Sequence, residues 1–138
     1  MEKKNSDMKV NSNSNENKVS LILDLRKNGI NNPEILRVIE EIDRSYFVDS
    51  HLYDKSNLNT ALPIDCGQTI SQPLIVALMT QHLEVKSNMR VLEVGTGSGY
   101  QTMVLSKIAK FVYTIERYKT LHQKAKELLT IILSLIHI

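Results

Sequence analysis

The stretch from Met89 to Glu116 constrains the fold more than any other part of this chain. Its order is apolar run, glycine loop, helix-patterned segment, apolar run, acid. Residues 89–94 predict a short strand. Gly95, Gly97 and Gly99, interleaved with Thr96 and Ser98, follow at once and mark a tight turn with positive φ angles. The pattern predicts a helix over 100–110, a second strand over 111–115, and a further amphipathic helix over 118–129. Parallel strands need a crossover, and a helix between two strands supplies it, so the unit is a parallel βαβ. The fold class is therefore α/β, of the doubly wound, Rossmann-like kind.

A glycine loop between a strand and a helix makes a small-ligand site at the strand's carboxyl edge. Glycines allow close backbone approach, and the helix N-terminus presents free N–H groups. Glu116 stands twenty-one positions after Gly95, matching the ~20 residues expected before an acid that holds a ribose. Two ligands fit, a dinucleotide and S-adenosylmethionine. Three features favour the second. The glycines are spaced Gly-x-Gly-x-Gly, not Gly-x-Gly-x-x-Gly. Glu93, two residues before the loop, suits a cationic ammonium and would repel a pyrophosphate. Thr96 and Ser98 add hydroxyls. Glu93 also suits the role of a buried partner for a backbone or arginine group, and both roles stay open.

The remainder reads as support. Residues 1–18 are rich in Asn, Ser and Lys, bury little, and read as a disordered tail. Leu21, Ile22 and Leu25 recur at helical spacing, with Gly29 as C-cap. Asn32, Pro33 and Glu34 read as N-cap, first helical position and dipole partner of a second helix, with Ile35, Leu36, Ile39 and Ile42 on its apolar face. These helices form a small cap over 19–65, of which 46–65 is irregular. The cofactor-binding core begins at 66. Pro73 opens a third helix through Leu83, with Leu74, Ala77, Leu78 and Gln81 along one side.

With 138 residues the chain holds one domain at most. A net charge of +2, no Trp and 5% aromatic residues give no basis for a nucleic-acid partner. Cys66 is the single cysteine, so no internal disulfide forms. It reads as a packed or half-exposed thiol. His51, His82, His122 and His137 lack ligand spacing, and no metal is expected. The N-terminus does not read as a secretory signal. The apolar run 128–138 falls short of the ~20 residues that span a bilayer. These features predict a cytoplasmic protein with no membrane partner.

Three segments resemble one family. VLEVGTGSGYQTMVLSKIAKFVYTIER (91–117) is similar to the first cofactor motif of the protein-L-isoaspartate O-methyltransferases. LPIDCGQTISQPLIVALMTQHLEVK (62–86) resembles the segment before that motif, and this is the more specific match. LRKNGINNPEILRVIEEIDRSYFV (25–48) resembles the family's N-terminal helices. The resemblance implies methyl transfer from S-adenosylmethionine to the α-carboxyl of L-isoaspartyl residues in damaged proteins, whose ester then collapses to a succinimide. It implies that Gly95, Thr96, Gly97, Ser98 and Gly99 line the methionine end and that Glu116 holds the ribose. It places Gln68, Thr69 and Ile70 among the cofactor contacts. Ser71 becomes the active-site residue, with capping of the third helix as the alternative. A monomer is expected. The family's acidic Gly-Asp-Gly segment is missing, and LLTIILSLIHI (128–138) does not resemble its next segment. The chain is thus expected to be an N-terminal portion with an incomplete methyltransferase fold. Alternative readings are a methyltransferase of another substrate and an inactive fragment.

Overall fold

The computed structural model describes residues 3–136 of the chain, and the side chains of residues 14–133. Helix α1 (Lys3–Lys27) ends on Gly29, at φ +95°. The N–H of Ile30 reaches the carbonyl of Leu25 (3.1 Å) and that of Gly29 the carbonyl of Arg26 (3.2 Å), the paired closure that a left-handed glycine permits. Helix α2 (Pro33–Glu41) starts as its sequence predicts: the Asn32 side chain accepts from the N–H groups of Glu34 and Ile35. Ile35, Leu36, Val38 and Ile39 are buried along it, and Ile42 caps it.

The expected disordered tail is corrected over residues 3–18, which continue α1. Extending a helix costs little once a neighbouring segment has nucleated it, and residues 19–27 are held by buried Leu21 and Leu25. Two side-chain contacts tie the extension down. Lys18 Nζ donates to the Ile42 carbonyl at the end of α2 (2.7 Å), where a cation complements the helix dipole. Asn57 Nδ2 donates to the Ser14 carbonyl (3.3 Å). Met1 and Glu2 of that tail, and His137 at the other end, lie outside the described residues.

The span expected to be irregular contains 3₁₀ turns at Arg44–Phe47 and Ser50–Lys55, which bury Phe47 and Leu52. Strand β1 (Leu62–Pro63) pairs antiparallel with β2 (Thr69–Ile70), Leu62 opposite Ile70. Two-residue strands are too short for alternation to show in a sequence. The hairpin turn places Cys66 and Gly67 at φ +59° and +64°. Helix α3 (Pro73–Leu83) follows and buries Val76, Ala77 and Thr80.

Strand β3 (Arg90–Val94), helix α4 (Tyr100–Ser106) and strand β4 (Phe111–Ile115) form the βαβ unit. The pairing is parallel, from Arg90 opposite Phe111 to Val94 opposite Ile115. Helix α4 stops short of the predicted Lys110 because the sheet claims the chain: the N–H groups of Lys110 and Phe111 both turn to the Met89 carbonyl. Helix α5 (Lys119–Ile136) runs beyond its predicted end. Leu128, Leu129, Ile132 and Leu133 keep helical spacing there and pack on the core. Among the described residues, no helix is long and apolar enough to cross a membrane.

One apolar core joins these parts. It runs from Leu25, Val38 and Ile39 of the first two helices through Val76 and Ala77 to Tyr100, Met103 and Val104 of α4. The βαβ unit is thereby anchored on the helical cap, with the glycine loop at their junction.

Candidate functional site

The loop between β3 and α4 is held by backbone bonds from β4. The N–H groups of Gly95 and Thr96 both donate to the Ile115 carbonyl (2.8 and 3.2 Å), and that of Gly99 donates to the Thr96 carbonyl (2.9 Å). Gly95, Gly97 and Gly99 sit at φ +92°, +56° and +90°, a region that side chains with a Cβ rarely adopt. They do different work. A Cβ on Gly95 would meet nothing within 4 Å, whereas one on Gly99 would press on Leu129 Cδ1 at 3.3 Å. Gly95 leaves space open towards the cleft. Gly99 is needed for α5 to pack.

A cleft runs along this loop. One wall is Thr69, Ile70 and Ser71 at the end of the hairpin. The other includes Glu93, Gly95, Thr96, Gly97 and Ser98. Eight of the residues expected from the sequence are thus brought together. Gln68 does not line this cleft; its amide folds back onto the Cys66 carbonyl (3.2 Å). Gly99 and Glu116 do not line it either; Gly99 is buried against Leu129 and Ala125 of α5.

Glu116 stands just beyond β4. Its carboxylate accepts from the N–H of Gly97 (Oε2, 2.9 Å) and from that of Tyr118 (Oε1, 3.0 Å). These backbone donors, that of Tyr118 first, hold its pKa below the usual glutamate value. The anion is pinned where the strand ends, with lone pairs left on both oxygens.

Glu93 is the opposite case. Its Oε2 accepts from Thr102 Oγ1 (2.5 Å) and Thr114 Oγ1 (2.7 Å), while Thr114 and Thr96 hydroxyls meet at 2.6 Å. Burial pushes its pKa up, the two threonine bonds oppose the shift, and the Glu116 charge adds to it. The partners of Glu93 are threonine hydroxyls, not the backbone or arginine group expected of a buried carboxylate, and the side chain also lines the cleft.

Ser71 is exposed, and it does not cap α3. That helix begins without a side-chain cap from its own N-cap residue, Gln72, and the Leu74 N–H is taken by Asn59 Oδ1 from the loop before β1 (3.0 Å). The capping alternative is therefore set aside. Sequence reasoning missed several residues at the site, among them Val76 in the cleft lining and Thr102 beside Glu93. Tyr100 and Gln101 line the cleft, and Gln101 Oε1 is buried without a partner. Thr114 completes the Glu93 network. Only Gln101 carried a usable signal, as a polar side chain in the first turn after a glycine loop.

The sequence profile of the family described as protein-L-isoaspartate(D-aspartate) O-methyltransferase matches residues 15–132. The chain belongs to that family. It is 51% identical over 113 residues to the protein-L-isoaspartate O-methyltransferase of Rhodospirillum rubrum, covering 82% of this chain and 52% of that one. It is 55% identical over 102 residues to the Caulobacter vibrioides protein of the same name, covering 74% and 46%. The chain spans about half the length of the relatives it matches. A solved protein-L-isoaspartate O-methyltransferase superposes with a TM-score of 0.74 at 27% identity, over 83% of this chain and 38% of that one. A Plasmodium falciparum structure described as a protein-L-isoaspartate O-methyltransferase, in complex with S-adenosyl-L-homocysteine, superposes with a TM-score of 0.68 at 27% identity, over 80% of this chain and 53% of that one. The fold is thus that of the family's methyltransferases, present here in incomplete form.

Proposed function

We propose that this chain carries the cofactor-binding and acceptor-facing part of a protein repair enzyme, one that moves a methyl group from S-adenosylmethionine to the α-carboxyl of L-isoaspartyl residues. The observation that carries this reading is that Ser71 and the glycine loop line one and the same cleft. The residues fit the cofactor. Gly95 leaves room for close backbone approach, Glu116 offers a fixed anion to a pair of hydroxyls, and Glu93 lies where an ammonium would offset its burial.

S-adenosylmethionine supplies an electrophilic methyl group on a sulfonium. The acceptor carboxylate, with a reference pKa near ~3.5, is already ionised at neutral pH and needs no general base. What remains for the chain is orientation and exclusion of water. In this reading Ser71, exposed at the end of the hairpin, donates one hydrogen bond to the acceptor carboxylate and sets its angle. A stronger, cationic donor there would quench the nucleophile. Thr69 and Ile70, with Gln68 beside them, contact the cofactor from the hairpin that presents Ser71. Gly97 and Ser98 hold the methionine end, with Gly99 fixing the helix behind them. The partners are damaged proteins and peptides with isoaspartyl residues, met by a monomer in the cytoplasm. The helical cap (19–65) and the start of the core (66–138) act as one unit in this reading.

Titration calorimetry with S-adenosylmethionine and a transfer assay on an isoaspartyl peptide test it. Glu116→Ala should weaken cofactor binding by about 1.5–3 kcal/mol per hydrogen bond lost. Ser71→Ala should lower turnover and leave cofactor affinity nearly unchanged. A chain that binds the cofactor and transfers nothing would leave the binding assignment standing and remove the repair activity.

A further inference from the structure

Arg44, in the first 3₁₀ turn, is 2% exposed. Its guanidinium donates to four backbone carbonyls. Nη1 reaches Ser56 (3.0 Å) and Leu58 (3.3 Å), and Nη2 reaches Thr60 (2.8 Å) and Ser71 (3.1 Å). Its Cζ lies 5.8 Å from the centre of the Tyr100 ring. Among the described residues no carboxylate pairs with it, and Nε is buried without a partner. Burying a cation without a counter-ion is costly, so packing alone does not account for an arginine here. A planar fork of five donors is the side chain that gathers several carbonyls at fixed angles.

The two ends of this contact set fall on the two walls of the cleft. The Ser71 carbonyl belongs to the acceptor wall. Tyr100 is the residue that directly follows the glycine loop. Strand β2 is two residues long and pairs only with the two-residue β1, so the hairpin has little sheet to hold it. We propose that Arg44 is a positioning residue for methyl transfer, fixing the Ser71 wall against the glycine loop from behind. The proposal rests on the methyl-transfer reading above. In-line displacement is sensitive to alignment, and a misplacement of 1 Å costs ~10²-fold in rate. Most of the cofactor contacts fall on the loop and Glu116, which β3 and β4 hold without Arg44, and only Thr69 and Ile70 of the cleft's cofactor contacts lie on the wall that it holds. Loss of the fork therefore acts on turnover.

The test compares the whole chain with Arg44→Lys and Arg44→Gln. Lysine keeps the charge but cannot span four carbonyls; glutamine keeps an N–H donor and loses the charge. Hydrogen exchange followed by mass spectrometry should show residues 60–71 exchanging at least ~10-fold faster in both variants, as expected when local opening is eased, with 90–116 unchanged. Transfer to an isoaspartyl peptide at saturating S-adenosylmethionine should fall at least ~10-fold, most in Arg44→Gln and partly restored in Arg44→Lys, a larger factor than the change in cofactor Kd. If the unaltered chain transfers no methyl group, the methyl-transfer reading fails, and the exchange pattern still decides whether Arg44 holds the wall. Native exchange in 60–71, equal loosening of every segment, or failure of both variants to fold would each overturn the proposal.

Discussion

The β3–β4 pair presents two faces of very different character. On the face towards α4, Val91, Glu93, Val112 and Thr114 are half-buried, and the threonine hydroxyls close around the Glu93 carboxylate. On the other face Leu92, Val94, Phe111, Tyr113 and Ile115 stand between 53% and 77% exposed. The residues alternate along the same ten positions. The half-buried set joins two valines to Glu93 and Thr114, whereas the exposed set is large apolar residues with Arg90 at one end. Strands whose exposed side chains are this apolar are those of a sheet covered on both sides. The open face is the more apolar of the two, so its exposure reflects which layer of helices is in place. The polar network that supports the loop belongs to the covered face, so it is complete without the other.

The covered face gives way first, and hardest. Val104 is wholly buried on α4 within the core that joins the βαβ unit to the cap. Val104→Asp places an unpaired carboxylate there, and the expected loss is about 3 kcal/mol or more. Circular dichroism on heating should show loss of a cooperative transition near the native midpoint. A native-like melt would mean that α4 packs less tightly than its burial implies.

This division explains what was legible in the sequence. Long periodic signals survived translation: the Asn32-Pro33 helix start, the Pro73 start, both strands and the glycine loop stand where the pattern puts them. Local pattern failed where tertiary structure decides. Nothing in residues 60–71 announces a hairpin, because its strands are two residues each and Cys66 is an unusual occupant of a left-handed turn. The helical state of residues 3–18 comes from continuity with α1, which composition does not register. At the site, chemistry-bearing residues close in sequence were readable, as Glu93, Gly95 and Gly97 show. Partners distant in sequence were not. Thr114 reaches Glu93 across the sheet, and Asn59 takes the capping role that proximity suggested for Ser71.

The two glutamates sharpen the comparison through pH. Glu116, held ionised by backbone donors, has a depressed pKa. Its contribution to stability is present above the ordinary glutamate value of about 4.3 and is lost as pH falls through its lower folded value. Glu93, on the covered face, has a raised pKa. Its contribution is full below that ordinary value and is lost as pH rises through the higher folded value. Glu116→Gln should therefore match the native protein only in acid below the Glu116 folded value, fall behind it as pH rises to about 4.3, and keep a constant deficit above. Glu93→Gln should gain on the native protein as pH rises above about 4.3. Melting temperatures of the three proteins from about pH 2 to 7 check both signs. Curves that diverge in the same direction would show that the two carboxylates do not occupy opposed environments.

The smallest change in stability belongs to the open face. Phe111 and Tyr113 stack there with ring centres 6.3 Å apart and planes at 21°, yet both rings are more than half exposed. Exposed apolar side chains contribute little to folding, since most of their surface stays in water. They do form a patch of the kind that meets another surface. Replacing both by threonine puts a β-branched residue at each position and so keeps the strand preference. The double variant should unfold in urea within about 0.5 kcal/mol of the native chain, the usual range for surface changes. It should also self-associate less, as read by light scattering across a concentration series. A loss of several kcal/mol would show the open face to be part of the folding core, and the contrast between the two faces of β3 and β4 would then be one of exposure alone.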